Sequence, residues 1–186
     1  YMIYLAPSTN ETTTANAASS QGTVISGNYF GGSAPECAGT YTVVGAAGKS
    51  KYNYRAIFVN AGTDANTTIE NNIIRNINIS AINSSNQTGD FIVVFTGIDI
   101  YRTMAVVNNN TIGKQTGNGS ITVSVDASTA SNQWITAGIT YELTTATPLT
   151  ISNNSMGSID ALNTTANGRH DFYGIRTRGT LGNVSS

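Results

Sequence analysis

One stretch of the chain reads Leu149-Thr-Ile-Ser-Asn-Asn-Ser-Met-Gly157, and its pattern occurs three more times. The pattern, which we call the Asn frame, is an apolar residue, any residue, Asn or Gly, a fixed Asn, any residue and a second apolar residue. The other copies read Ala105-Val-Val-Asn-Asn-Asn-Thr-Ile-Gly113, Thr67-Thr-Ile-Glu-Asn-Asn-Ile-Ile74 and Thr23-Val-Ile-Ser-Gly-Asn-Tyr-Phe-Gly31. The fixed Asn residues are 44, 38 and 44 positions apart. Similarity at this period indicates a repeat architecture.

A second pattern alternates with the first along the chain. This Ile frame is a small residue, an Ile and then an alternating strand, and its Ile residues are Ile57, Ile98, Ile139 and Ile175. The opening Met2-Ile-Tyr-Leu5 fits as an earlier copy. Two patterns with one period predict a single segment, 1–186, of about four coils of roughly 40 residues, which start near residues 3, 57, 98, 139 and 175.

Each coil is expected to carry about three short strands and one variable polar loop. β-Branched residues dominate the apolar positions, which favours strands. Two architectures have such a period, the four-stranded antiparallel blade of a β-propeller and the coil of a parallel β-solenoid. The bends here fall at Asn-Asn rather than at tight hairpin turns, and the coil length changes by loop insertion. The sequence therefore favours an all-β fold, a right-handed parallel β-helix.

In such a fold each residue lies about 4.8 Å from its counterpart in the next coil. The Ile frame would then form an interior aliphatic column. The fixed Asn residues are expected to form a structural ladder at a sharp bend, because Asn tolerates left-handed backbone and stacked carboxamides supply the partners that buried amides need. These ladder residues are Asn28, Asn72, Asn110 and Asn154.

Composition excludes several classes of function. The formal net charge is −1, and charged residues are 10% of the chain, so the basic stripe that a nucleic-acid partner needs is missing. No apolar run reaches the length of a membrane span. No residue spacing predicts a metal site, and no cofactor motif occurs. Cys37 is expected to be an inert thiol and His170 an exposed loop residue. Both ends of the sequence are abrupt, which predicts a fragment of a longer protein.

Charged residues of the Ile frame are expected to share one outward face, because inside and outside alternate along a strand. A polysaccharide-cleaving enzyme needs clustered carboxylates or a basic residue beside an acid, so Asp99, Arg102 and Glu142 are the candidate catalytic residues. The candidate ligand-binding residues are Tyr101, Arg176 and Arg178. The other interpretation is a solvated face with one ion pair between Glu142 and Arg178, worth under about 1 kcal/mol.

The Asn frame, as in Val107-Asn-Asn-Asn-Thr-Ile-Gly113, resembles the right-handed β-helix repeats of the pectin-lyase-like superfamily. More narrowly, it is similar to large secreted, surface-associated β-helix proteins of Bacteroidetes. The resemblance covers nearly the whole chain and rests on a structural motif. The functions of such proteins are mostly adhesive or unassigned, and many are exported through a C-terminal sorting domain, which if present here would lie beyond Ser186. The superfamily's lyases and hydrolases carry acidic, Lys or Arg clusters that have no residue-by-residue match here.

The sequence favours a structural or adhesive module of a large secreted or cell-surface protein, rather than an enzyme. Its expected partners are glycans, other surface proteins and the rest of its own longer chain. The alternative is a β-helix that binds or cleaves polysaccharide, as a lyase or glycosidase does. A trimeric viral fibre is a third interpretation, which would need a wide apolar outward face that the sequence does not show.

Overall fold

The computed structural model describes residues 3–5, 22–44, 53–81, 92–125, 133–142, 148–164 and 169–178. In this part of the chain, strands follow one another in groups of four, and a short 3-10 helix spans Pro35–Cys37. Strands β1 to β4 are Ile3–Leu5, Val24–Ser26, Tyr29–Phe30 and Tyr41–Val44. Strands β5 to β8 are Tyr54–Val59, Gly62–Glu70, Ile73–Ile74 and Ile77–Ala81.

The later groups repeat this order. Strands β9 to β12 are Ile92–Tyr101, Thr103–Asn108, Thr111–Gly113 and Ile121–Val125. Strands β13 to β16 are Gln133–Glu142, Leu149–Ser152, Ser155–Gly157 and Ile159–Asn163. Strand β17, Arg169–Arg178, opens a fifth group. We call each group of four strands a repeat, so the described residues hold four repeats and the first strand of another.

Each repeat contributes one strand to each of four sheets. The first sheet has the order β1-β5-β9-β13-β17, the second β14-β10-β6-β2, the third β15-β11-β7-β3 and the fourth β16-β12-β8-β4. Every pairing between these strands is parallel. The prediction of an all-β fold with parallel strands is confirmed, and the arrangement is consistent with a parallel β-helix. It differs from a propeller blade, whose neighbouring strands are antiparallel.

The number of strands per repeat is four, not the predicted three. The additional strand arises because the Asn frame divides into two strands at its Asn residues, as between β6 and β7. The left-handed backbone lies one residue before the position we expected. Asn71, Asn109 and Asn153 have φ values of 56°, 55° and 54°, and Gly27 has 68°. The residue with left-handed backbone turns the chain. The side chain of the fixed Asn that follows it then points along the stack of repeats.

The apolar columns follow the predicted register. Ile57 pairs with Ile98, and Ile98 with Ile139, and all three are fully buried. Ile69 and Val107 pair in the second sheet and are also fully buried. Burying one such side chain contributes about 1.5–3 kcal/mol, so these columns are the main source of stability. Ile175 pairs with Ile139 but is half exposed, because β17 is the edge strand of the described sheet.

The fixed Asn residues form a continuous hydrogen-bonded ladder. Nδ2 of Asn28 donates to Oδ1 of Asn72 at 3.0 Å, and Nδ2 of Asn72 donates to Oδ1 of Asn110 at 2.9 Å. Asn110 continues the ladder to Oδ1 of Asn154 at 2.9 Å. In each of these three pairs, the Asn that donates through Nδ2 also donates its backbone N–H to the same Oδ1 of the next Asn. Asn72 and Asn110 are buried, so the ladder supplies the partners that buried amides need.

The strands of the first sheet are irregular at the small residue of the Ile frame. A Cβ on Gly97 would lie 2.7 Å from the carbonyl oxygen of Gly138 and 3.0 Å from Cδ1 of Ile112. Only glycine fits where two backbones approach so closely. The side-chain alternation also shifts here, since Arg55 and Phe58 are three residues apart yet lie on the same face, with Cζ of Arg55 4.8 Å from the Phe58 ring centre.

Candidate functional site

The outward face of the first sheet collects charged residues from four neighbouring strands. Parallel register places Tyr101 beside Glu142 and Glu142 beside Arg178. The adjacent column runs from Asp99 through Thr140 to Arg176. We call these residues, together with Arg55 and Arg102, the charged face. It contains all six of the residues that the sequence put forward as catalytic or ligand-binding candidates.

Asp99 is the centre of the charged face. Its Oδ1 accepts a hydrogen bond from Nη2 of Arg178 at 2.6 Å, and its Oδ2 lies 2.8 Å from Nε of Arg55. Arg55 comes from β5, the strand next to Asp99, and Arg178 comes from β17, which lies two strands away on the other side. Burial raises the pKa of Asp99, and the guanidinium groups of Arg178 and Arg55 act in the opposite direction. Both carboxylate oxygens are therefore occupied by cations of the protein itself.

The expectation of a solvated face was wrong for the centre of this sheet. Asp99 is 1% exposed, and Phe58 and Thr140 beside it are also buried. Long side chains cover this face, since Tyr4 stacks on Phe58 with ring centres 5.0 Å apart and Arg55 lies across the same ring. Arginine stems and aromatic rings can shield a sheet surface while their polar ends reach water. Only the margin of the charged face remains partly open.

Glu142 and Arg178 are neighbours, as the sequence predicts. Nε of Arg178 lies 3.7 Å from Oε2 of Glu142, which is longer than a hydrogen bond of good geometry. Arg178 is thus shared between a buried carboxylate, Asp99, and a partly exposed one, Glu142. The two carboxylates belong to one ion network rather than to an open pair facing a substrate.

The guanidinium group of Arg102 contacts an aromatic ring rather than a carboxylate. Its Cζ is 4.7 Å from the ring centre of Tyr101, within the range of a cation–π contact. The backbone N–H of Arg102 donates to the carbonyl oxygen of Glu142 at 2.8 Å, and its φ of 48° places it at a bend. In the described part of the chain its Nε is buried without a hydrogen-bond partner.

Arg176 shows a looser contact of the same kind. Its Cζ is 5.9 Å from the ring centre of Tyr173, near the outer limit of a cation–π contact. Burial lowers the pKa of Arg176, and the positive charge of Arg178 lowers it further. The charged face therefore holds four arginines, two carboxylates and the ring of Tyr101, and two of its arginines also contact the rings of Phe58 and Tyr173.

This geometry does not suit acid–base catalysis. A general base must reach the proton that it takes from a substrate, and Asp99 is enclosed between two arginines. Arg102 is held on Tyr101, so the three candidate catalytic residues do not converge on one open point. The partly exposed residues of the margin, Tyr101, Arg102 and Glu142, could contact a ligand from outside. The arrangement supports a structural ion network with a polar, aromatic margin.

Sequence reasoning missed Arg55. It precedes the Ile of its frame by two residues, and its column continues through Thr96, Ala137 and Tyr173, so no recurring charge marks it. The shift in alternation beside Ala56 also places Arg55 on the face of Asp99, where strict alternation from Ile57 would not. The recurring small residue before the Ile could have indicated this shift, because glycine inside a strand often marks a bulge.

His170 and Cys37 lie elsewhere, and neither is an open reactive group. His170 is in β17 rather than in an exposed loop, with Nε2 2.9 Å from Oγ1 of Thr136 and Nδ1 3.0 Å from the carbonyl oxygen of Leu162. Burial lowers the pKa of His170. Cys37 is buried in the 3-10 helix, and burial raises the pKa of its thiol. An inert thiol was the prediction for Cys37, and its burial agrees with it.

No protein-family model, curated protein or solved structure matches the chain. Among the described residues, no group of three or more His, Cys, Asp or Glu side chains is placed to hold a metal ion. The described residues also contain no helix that could span a membrane. The interpretation of function therefore rests on the repeat and on the charged face.

Proposed function

We propose that the chain is a segment of a right-handed parallel β-solenoid, with the likeness to pectin-lyase-like repeats that its Asn frame suggests. We further propose that it works as a structural and adhesive module of a large secreted or cell-surface protein. One observation carries the proposal: the same columns and the Asn ladder run through every described repeat without a break. Acid–base catalysis would need groups that can reach a substrate, whereas the carboxylate at the centre of the charged face is buried between two arginines.

The charge distribution supports a passive or adhesive role. The carboxylate at the centre of the charged face is neutralised by two arginines, which connect β9 to β5 and to β17. The remaining surface is rich in Asn, Thr and Ser, a composition that hydrates well without attracting oppositely charged partners. Glycans, other surface proteins and the rest of a longer chain are the partners that fit such a neutral polar surface.

A second candidate function is binding of polysaccharide at the margin of the charged face. Tyr101 and Arg102 favour it, because a partly exposed aromatic ring beside a cation offers stacking and hydrogen bonds to a sugar. Cleavage is less well supported than binding, since Asp99 is enclosed. Binding at this margin is compatible with the fold described above and requires that a polysaccharide can reach the ring of Tyr101.

One experiment separates these functions. The 186-residue chain is incubated with a neutral dextran and with an acidic polygalacturonate, and both retention on the polysaccharide and polysaccharide length are measured. A structural module leaves the length of both unchanged. Retention that Tyr101→Ala removes and Lys114→Ala keeps would favour the second candidate, because Lys114 is an exposed cation outside the charged face. Shortened polysaccharide, with loss of the activity in Glu142→Gln, would contradict the structural proposal.

The extracellular location is tested separately on intact source cells. Brief protease treatment should release peptides of this chain if it is displayed at the surface. Peptides found only after lysis would contradict the proposed location, while leaving the proposed architecture unaffected.

A further inference from the structure

A glycine-rich loop joins β11 to β12 in the third repeat. It reads Lys114-Gln-Thr-Gly-Asn-Gly-Ser120, and residues 114–119 are all exposed. Gly117 and Gly119 have φ values of 89° and 66°, which glycine adopts without steric cost. The two strands that the loop joins have parallel partners on both sides. The exposure of the loop therefore does not arise at an end of the described stack.

The loop contains the sequence Asn118-Gly119. The backbone nitrogen of the residue after an Asn can attack the side-chain amide carbon, which makes Asn one of the thermolabile residues. A side chain on the following residue hinders this attack, whereas Gly119 has none. In the part of the chain that the structure describes, neither the carboxamide of Asn118 nor the N–H of Gly119 has a hydrogen-bond partner. The amide carbon and the attacking nitrogen are therefore both free to meet.

The Asn residues at the bends lack this freedom. Asn110 is buried and its carboxamide is bonded through both polar atoms. The N–H of Thr111, which follows it, donates to the carbonyl oxygen of Asn72 at 2.8 Å. Asn109 is exposed, but the N–H that follows it, that of Asn110, donates to Oδ1 of Asn154 at 2.9 Å. Because a bonded N–H cannot readily turn toward the preceding side chain, the structure protects these residues and leaves the loop pair reactive.

We propose that Asn118 is a site of spontaneous deamidation through a succinimide. The nitrogen of Gly119 forms a bond to Cγ of Asn118, the bond from Cγ to Nδ2 breaks, and Nδ2 leaves as ammonia with the proton of the Gly119 N–H. Water then opens the five-membered ring at either carbonyl carbon. The products are aspartate and isoaspartate, in which the main chain runs through the former side chain. This proposal concerns the chemistry of one loop and does not depend on the proposed function.

The modification changes the surface of the third repeat in two ways. It adds one negative charge to a chain whose formal net charge is −1, close to an existing carboxylate, since a Cβ on Gly119 would lie 3.5 Å from Oδ2 of Asp160. Isoaspartate also adds one carbon to the main chain just before Ser120, whose N–H donates to Oγ of Ser158 at 3.2 Å. The lengthened loop should loosen this bond, so the Ser120 N–H should exchange with solvent faster in the modified chain.

Mass spectrometry of the 186-residue chain, kept folded for weeks at neutral pH and physiological temperature, tests the proposal. Digestion after Lys114 and after Trp134 separates Asn118 from Asn110 and from Asn167, the other Asn that precedes a Gly, and fragmentation of that peptide assigns the change. We expect a gain of one mass unit at Asn118, in an aspartate form and a more abundant isoaspartate form. An unchanged Asn118 would overturn the proposal. Aspartate without isoaspartate would overturn it as well, because direct hydrolysis forms no ring.

Two controls separate the chemistry from the structure. Asn118→Gln keeps the carboxamide but lengthens the side chain, which prevents the five-membered ring, so its peptide should keep its mass while the circular dichroism spectrum stays unchanged. The original chain is also incubated unfolded in guanidinium chloride. Asn118 should react at nearly the same rate in the folded and unfolded chains, because the fold does not hold the loop pair. If folding slowed the reaction of Asn118 as strongly as that of Asn110, the loop would not be free and the proposal would be overturned.

Discussion

Replacing Asp99 by Ala should lower the free energy of unfolding by about 3 kcal/mol, because it leaves the buried sides of two guanidinium groups without their shared carboxylate. Removal of one partner from a fully buried ion pair costs about 3–5 kcal/mol. The lower end of that range applies here, since the side chains of Arg55 and Arg178 are 15% and 24% exposed and can recover some hydration. Urea unfolding followed by far-ultraviolet circular dichroism measures the change.

Glu142→Gln is the matched control for Asp99→Ala. It removes the second carboxylate that contacts Arg178, but this carboxylate is 26% exposed and 3.7 Å from Nε. Partly solvated pairs of this kind contribute less than about 1 kcal/mol, so a small change is expected. If Asp99→Ala proved as mild as Glu142→Gln, Asp99 would not be the enclosed centre of the charged face. A catalytic interpretation of Asp99 would then regain support.

Replacing Asn110 by Ala should also cost about 3 kcal/mol, because it interrupts the Asn ladder in its buried centre. Oδ1 of Asn110 accepts from the backbone N–H and Nδ2 of Asn72 at 3.1 and 2.9 Å. Its Nδ2 donates to the carbonyl oxygen of Ile69 at 2.8 Å and to Oδ1 of Asn154 at 2.9 Å. Each buried polar group left without a partner costs about 1–3 kcal/mol, and relaxation of the surrounding bend recovers part of the sum.

Two substitutions make the Asn110 experiment specific. Asn109→Gly changes the exposed neighbour, whose φ of 55° suits glycine, and should alter the free energy of unfolding by less than about 1 kcal/mol. Asn28→Ala removes the end member of the ladder, which is only partly buried and accepts no ladder bond, and should cost less than Asn110→Ala. The ladder would be in doubt if Asn109→Gly destabilised the protein as much as Asn110→Ala.

The columns could be predicted from the sequence because repetition reveals them. Ile69, Val107 and Asn110 recur in one frame, and a residue type that recurs at one period is the signature of a stack. The sequence did not predict which of the two consecutive Asn residues at each bend has the left-handed backbone. Asn71 and Asn72 are the same residue type, and either could take the left-handed backbone. The structure assigns that conformation to Asn71 and the ladder to Asn72, since only the latter's carboxamide points along the stack.

The sequence predicted most of the residues of the charged face but not their burial or their contacts with Asp99. Register from the Ile frame placed Glu142 beside Arg178, and the structure has them in contact. The burial of Asp99 could not be read from the chain, because alternation indicates which way a side chain points and not what covers it. Arg55 was missed because the alternation shifts beside Ala56, a three-dimensional irregularity that the recurring small residue marks only indirectly.

The central claim is that repeats lie one above another in parallel register, and a pair of engineered cysteines tests it most directly. Ser80 and Ser124 are 44 residues apart and paired in the fourth sheet, so their Cα separation suits a disulfide. In a Cys37→Ala background, Ser80→Cys with Ser124→Cys should form that disulfide nearly completely under mild oxidation. Ser80→Cys with Thr122→Cys should not, since Thr122 pairs with Asn78 and lies too far along the strand. Equal yields from both pairs, or a preference for the second, would contradict the stacked register.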